Sequence, residues 1–377
     1  MKTVSRRRNT LFVLNMRKMK RTGVILCVIL IIFGMLTLGL SAADAAPTHL
    51  WQNLSSFFFG FDISDIGSIV RAEIPIIGVV NSSNMVLAAR GEAIPAAAFA
   101  IATTFEGDGY AQDINIYPRE LGEDEFPIME LNAAPAGGIF INNETNFDII
   151  IDDFLNRPLS FDFSVSEPKI LIIHTHTTEA FTPPDVMWYH ISNNKRSHDP
   201  TQNVVRVGEE FLRVFRENGI QAVHATAVHD YPSFSGSYQA ALATIQQYKQ
   251  RYPSIQLVLD VHRDAIIREC GTKIKLVNEI EGQTAAQIMF VVGTNAGGLQ
   301  HEYWRDNLAL VIQMQDRILS NHPSLARPIN LRRERFNQHA TPGSMLIEIG
   351  TSGNTLDEAL LAARYTALSM VELFKDM

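Results

Sequence analysis

The sequence predicts an α/β protein: a three-layer domain with a largely parallel, twisted sheet, preceded by a single transmembrane helix and a partly ordered spacer. Three observations predict it. From Lys169 onward, short apolar runs alternate with stretches of helical period, the pattern of strands joined by crossover helices. Several of those runs end in His, Asp or Glu, where open α/β sheets gather their chemistry. Far upstream, Gly23 to Leu40 form eighteen residues without a charge, close to the roughly 20 apolar residues that a membrane helix needs.

The chain has 377 residues, 46% of them hydrophobic, which is ample for one sizeable core plus extra segments. Residues 1–22 carry eight Lys or Arg and no acid, and read as a cytosolic basic arm. Residues 23–42 are the anchor, and the residues from about 43 onward are expected on the extracytoplasmic side. A cleaved signal peptide is the alternative, because Ala43-Asp44-Ala45 offers small residues to a peptidase. The net charge is -8, and without the arm the rest is more acidic still, which argues against nucleic acid as a partner. Two cysteines, Cys27 and Cys270, exclude a disulfide framework and a cysteine-rich metal site.

Residues 43–165 read as spacer and lead-in, ending in a small strand-turn-helix from Phe140 to Leu155. The domain proper spans 166–377. Strands are expected at Lys169–Ile173, Ile220–Ala225, Ile255–Val261, Ile288–Val292 and Ser344–Ile349, and helices at Asn203–Asn218, Ser237–Gln250, Trp304–Leu319 and Thr355–Phe374. Thr355 and Glu358 have the spacing of a capping box.

The chemistry gathers on three of these strands. The first runs into His174 and His176, with Glu179 three residues on; the third carries Asp260, His262, Arg263 and Asp264; the last carries Glu348. In a parallel sheet such strand ends share one edge. Two imidazoles and a carboxylate match a catalytic zinc site with an open position, and a further glutamate suits a general base. A carboxylate inside Met-Leu-Ile-Glu-Ile is costly unless it is paired or meets a metal, which makes Glu348 the most informative acid in the chain. Each histidine also has a plain reading as a hydrogen-bonded strand-end residue. No nucleophile elbow and no phosphate loop is present.

Several patches, taken together, resemble the stage II sporulation protein P family: His174-Thr-His-Thr-Thr-Glu-Ala-Phe, Asn203-Val-Val-Arg-Val-Gly, His229-Asp-Tyr-Pro-Ser-Phe with Gly236-Ser-Tyr, Asp260-Val-His-Arg-Asp-Ala, and Ile347-Glu-Ile-Gly with Gly353-Asn-Thr. The resemblance covers about residues 170 to 375. It implies a peptidoglycan hydrolase whose core is similar to zinc N-acetylmuramoyl-L-alanine amidases, with endopeptidase activity as well. It further implies sporulation proteins D and M as partners, and a place in the mother-cell membrane facing the forespore during engulfment. Carried over by position, His176 and His262 become zinc ligands and Glu348 the catalytic acid/base. The third ligand falls to Asp199, upstream of Asn203, with Glu179 or His198 as alternatives. His174 becomes a support or a substrate contact. Separately from the resemblance, the basic residues Arg263, Arg332, Arg333 and Arg335 are expected to hold the stem peptide, because the net-acidic chain does not attract an acidic polymer by overall charge. The Asp-Pro-Gly-His motif of the standard amidases is absent. That leaves two alternatives: a non-catalytic wall-binding scaffold, or a metallocarboxypeptidase using the His176–Glu179 spacing.

Overall fold

The structure, a computed structural model, describes residues 85–87, 121–163, 166–193 and 195–377. All of these belong to the second of two units, Gly67–Met377. The basic arm, the expected anchor and most of the spacer lie outside the described residues. Among the described residues, no helix is long and apolar enough to cross a membrane.

The strands are β1 Met85–Leu87, β2 Glu125–Asn132, β3 Phe140–Asn143, β4 Ile170–Ile173, β5 Trp188–His190, β6 Ala222–His224, β7 Leu257–Asp264, β8 Lys273–Ile280, β9 Gln283–Ala286, β10 Ile288–Gly293, β11 Ile329–Arg332 and β12 Met345–Thr351. The helices are α1 Ile151–Leu155, α2 Val204–Glu217, α3 Ser237–Arg251, α4 Trp304–Asn321 and α5 Leu356–Lys375. Eight strands form the main sheet in the order β1-β3-β11-β10-β12-β7-β4-β6, and β5-β2-β8-β9 form a second sheet.

The main sheet is mixed rather than largely parallel. β12, β7, β4 and β6 run parallel to one another, whereas β10 meets β12 antiparallel and carries β11 and β3 with it in parallel. The connections explain this. A parallel neighbour needs a crossover of a dozen or more residues, usually through a helix. After β7 the chain instead builds β8 and β9, and only Gln287 separates β9 from β10. No helix returns the chain to the starting edge, so β10 enters the sheet pointing the other way. β2 and β3, in the stretch expected to be spacer and lead-in, are strands of the second and main sheets.

Helices cover the sheet unequally. On one face α2, α4 and α5 bury Val207, Phe211, Leu308, Ile312, Ala363 and Met370 against Ile170, Ile172, Val261 and Ile347. These apolar residues recur at helical spacing, and each buried Leu, Ile or Phe contributes about 1.5–3 kcal/mol. α2 is opened by Asn203, whose side chain accepts from the Val205 amide, and α5 by the capping box of Thr355 and Glu358. On the opposite face α3 packs Ala241 and Ile245 onto Leu171, Ile173 and Val258. Beyond α3 that face carries Met289, Val291, Leu346 and Phe336. The side chains of Asp260, His262 and Glu348 share this thinly covered face, because Leu346 is level with Asp260 and Glu348 with His262 in the β12–β7 register.

Candidate active site

β4 delivers its histidines to opposite sides of the sheet. Ile173 is level with Asp260 of β7, so the turn after β4 sits over the end of β7. Threonines satisfy that turn. Thr175 donates to Asp260 through its amide at 2.8 Å and its hydroxyl at 2.6 Å. The Thr177 hydroxyl donates to the His174 carbonyl at 2.9 Å, and the Thr178 hydroxyl to Asp230 at 2.7 Å.

His174 points towards α2. Its Nδ1 lies 2.8 Å from the Val261 carbonyl, so Nδ1 carries the proton and donates. Its Nε2 then accepts from His224 Nε2 at 2.7 Å. Burial, with His224 beside it, lowers the His174 pKa to about 3. A Cβ on Gly208 of α2 would come within 2.7 Å of both rings, so glycine at that helical position makes room for the pair. Both nitrogens of His174 are therefore spent on the protein.

His176 points towards α3. Its ring stacks on Phe234 at 4.4 Å between centroids and 14° between planes. Nδ1 lies 3.3 Å from the Ser237 hydroxyl. Nε2 is buried and has no hydrogen-bond partner. Burial lowers this pKa too, to about 3, so the imidazole is neutral.

His262 stands across from it, with ring centroids 5.2 Å apart and planes at 87°. Glu179 Oε2 is 3.4 Å from His262 Nδ1. Asp260 Oδ1 is 2.9 Å from Nε2 but out of line with the ring nitrogen, which is left without a hydrogen-bond partner. Burial opposes the charged form of His262, yet Asp260 and Glu179 outweigh it and raise the pKa well above the usual value. Burial likewise works against the Glu179 carboxylate, and contacts to His262 and Arg263 more than compensate, lowering its pKa. Glu348 differs. It is 8% exposed, its Oε2 has no partner, and burial together with the neighbouring Asp264 charge raises its pKa to about 8.

Nε2 of His176, Nε2 of His262 and Oε2 of Glu348 are thus buried polar atoms with unused bonding capacity around one sheet edge, and orphans of this kind ask for a ligand. Two imidazoles that share one tetrahedral zinc, with Zn–N near 2.0 Å, have ring centres about 5 Å apart. The His176–His262 separation meets that condition. No set of three His, Cys, Asp or Glu side chains among the described residues is already drawn together around one point. The donor types nevertheless fit zinc: two neutral-capable imidazoles, with the Glu179 carboxylate against one of them.

Residues 123–370 match the family described as stage II sporulation protein P. The chain belongs to that family. A curated relative, the stage II sporulation protein P of Bacillus subtilis (strain 168), is 23% identical over 218 residues, covering 55% of this chain and 51% of that protein. The chain therefore spans about half the length of the curated relative it matches. Among solved structures, the catalytic domain of the N-acetylmuramoyl-L-alanine amidase CwlV from Bacillus (Paenibacillus) polymyxa var. colistinus is similar at 11% identity and a TM-score of 0.33, covering 55% of this chain and 98% of that one. An N-acetylmuramoyl-L-alanine amidase from Clostridium difficile 630 is similar at 14% identity and a TM-score of 0.31, covering 55% and 95%.

In this family member Asp199 is not brought to the cluster. It is exposed, and its carboxylate accepts from the amide and hydroxyl of Thr201 at 2.9 and 2.7 Å. Its side chain closes the turn that leads into α2, a common use of Asp before a helix. His198 is exposed as well and packs edge-on against Tyr231. Glu179 is the carboxylate that the fold supplies, pinned by the Arg263 amide at 3.1 Å and by the bridge of its own backbone to Arg196. The Arg263 guanidinium is turned to the protein, donating to the carbonyls of Ala180 and Lys195. It braces the Glu179 loop and is not free to grip a substrate. Arg332 is held by Glu144 and Glu334, while Arg333 and Arg335 donate to the carbonyls of Ala296 and Gln300.

Sequence reasoning passed over Ser237, which faces His176, and Tyr238, which packs edge-on against it at 5.5 Å. Their signal was present in the Gly236-Ser-Tyr patch, which named the residues without giving them a task.

Proposed function

We propose that this chain is a membrane-anchored, zinc-dependent peptidoglycan hydrolase, an N-acetylmuramoyl-L-alanine amidase with endopeptidase activity, acting in sporulation at engulfment of the forespore. The observation that carries the reading is the trio of buried atoms without a hydrogen-bond partner: His176 Nε2, His262 Nε2 and Glu348 Oε2. Family membership over residues 123–370 supports it.

His176 and His262 would hold zinc through Nε2, while the Glu179 carboxylate, 3.4 Å from His262 Nδ1 on the other edge of that ring, would orient the imidazole; Asp199 has no part in the cluster. Bound there, zinc supplies Lewis acidity towards a scissile amide carbonyl. The Ser237 hydroxyl, 3.3 Å from His176 Nδ1, would accept a hydrogen bond from Nδ1–H and leave Nε2 its lone pair. Asp260 locks the turn that carries His176 by accepting from Thr175. Glu348 is the acid/base. Its pKa of about 8 is near neutral, where proton exchange works best. Its Oε2 takes the proton of the attacking water and delivers it to the leaving amide nitrogen.

Membrane attachment through residues 23–42, and association with sporulation proteins D and M, belong to this reading through the family. The experiment is digestion of isolated sacculi by the purified chain, with products identified by mass spectrometry. An amidase frees whole stem peptides that begin with L-alanine, and an endopeptidase separates cross-linked stems. A carboxypeptidase trims single residues instead. Sacculi left intact by the zinc-loaded protein favour the non-catalytic scaffold and sink the hydrolase.

A further inference from the structure

The amino end of α3 reaches the cluster through Ser237. Gly236 adopts φ 93° and turns the chain into the helix, a conformation that glycine takes without strain. Ser237 then meets His176, and Tyr238 follows. The Tyr238 ring stands edge-on to His176, with centroids 5.5 Å apart and planes at 87°. It also packs on Phe336 at 5.9 Å. It lies over the patch formed by Met289, Val291 and Leu346. Met289 is the register partner of Glu348 on β10, and Leu346 shares the Glu348 face two residues upstream on β12. The ring therefore spans the gap between the His176 side of the cleft and the strand that carries Glu348. Its backbone is fixed by Asn337, whose amide donates to the Tyr238 carbonyl at 2.7 Å.

Packing accounts for the ring but not for the hydroxyl. Buried tyrosine hydroxyls usually find a partner. Tyr238 is only half-buried, and among the described residues the hydrogen bonds around it are the backbone bond to Asn337 and that between Ser237 and His176, so its hydroxyl is left accessible to a bound substrate. Phenylalanine would fill the same space against Phe336 and Met289. What the hydroxyl adds is a hydrogen-bond donor beside the ionised carboxylates of Glu179 and Asp260, which only accept, and one separate from Glu348, whose proton is engaged in the acid/base steps. Hydrolysis of an amide develops negative charge on the carbonyl oxygen, and that charge needs donors.

We infer that Tyr238 is a catalytic residue of this site: its neutral hydroxyl donates a hydrogen bond to the carbonyl oxygen of the scissile amide, more strongly as that oxygen gains charge. No proton is transferred and the phenol stays intact. The inference rests on the hydrolase reading above.

The test is Tyr238→Phe in the full chain, with kcat and KM measured on a soluble muropeptide alongside wild type, and with zinc content and Tm recorded for both. The ring is retained, so zinc content and Tm stay at wild-type values. The expected result is a fall in kcat of about 100-fold or more, the usual cost of removing one oxyanion donor, with KM unchanged. An undiminished kcat, or a loss confined to KM, overturns the role while leaving the hydrolase reading intact, because wild type still turns over. A wild type that releases no product overturns the hydrolase reading, and this role with it.

Discussion

Two histidine pairs in this molecule look alike and are built for different ends. His176 and His262 stand perpendicular with centroids 5.2 Å apart. His301 and His339 stand at 80° with centroids 6.5 Å apart. Both pairs are set in the fold with nitrogens that lack hydrogen-bond partners. Burial lowers the pKa of His301 and of His339 to about 4 in each case, and of His176 to about 3. The surroundings separate them. Glu179, Asp260 and Glu348 enclose the first pair, whereas Arg335 and Lys249 act on the second. A cation is welcomed at one and repelled at the other. The spacing agrees, since two rings on one tetrahedral ion sit about 5 Å apart and 6.5 Å is too wide. Unpaired imidazole nitrogens are common to both pairs; the proposed zinc reading rests on the nearby carboxylates and the shorter separation that only the first pair has.

That contrast breaks if the carboxylate next to His262 is dispensable. Glu179→Gln is expected to weaken zinc binding by about 10- to 100-fold, the loss that changing the outer partner of a ligating histidine gives. Asp199→Asn is expected to leave it unchanged, because that carboxylate serves only the Thr201 turn. Zinc titration against a chelating dye reads both. A loss in Asp199→Asn with none in Glu179→Gln reverses the choice of carboxylate that serves the site.

Glu348 sharpens the same comparison through pH. Its folded pKa of about 8 lies above the ordinary 4.5, so between those values the folded state holds a proton that the unfolded state has released. The stability this group lends is fully present below pH 4.5 and is lost as pH rises through about 8. In the metal-free chain the loss is on the order of a few kcal/mol. Glu348→Gln cannot titrate, and its urea midpoint should fall less than that of wild type over this range. Parallel curves for the two proteins contradict the burial of an unpaired carboxyl at this position.

Much of this was legible in the residues. β4, β7 and β12 announce themselves as apolar runs, and polar residues set into their ends or interiors mark a candidate site. β2 and β8 were hidden for a physical reason. Pro127 breaks the strand signal of β2, although its edge pairing with β5 accommodates it. β8 carries Lys273 and Lys275 inward, where Lys275 is paired with Glu130 and Glu358 and Lys273 lies over the Tyr189 ring. Those partners come from elsewhere in the chain, so no local pattern shows that the lysines belong inside. The strand directions were hidden too, because reversal at β10 depends on an intervening second sheet. Asp199 was misplaced because its distance from Asn203 says nothing about the turn that points it outward. The Glu179 assignment needed the bridge between its backbone and Arg196.

The central claim is that His176 and His262, not His301 and His339, form the metal centre. Its most direct test is zinc per chain, by mass spectrometry of the metal in purified wild type, His176→Ala, His262→Ala and His301→Ala. The account predicts one zinc in wild type and in His301→Ala, and none in the other two. Zinc retained in both His176→Ala and His262→Ala, or lost only in His301→Ala, contradicts it.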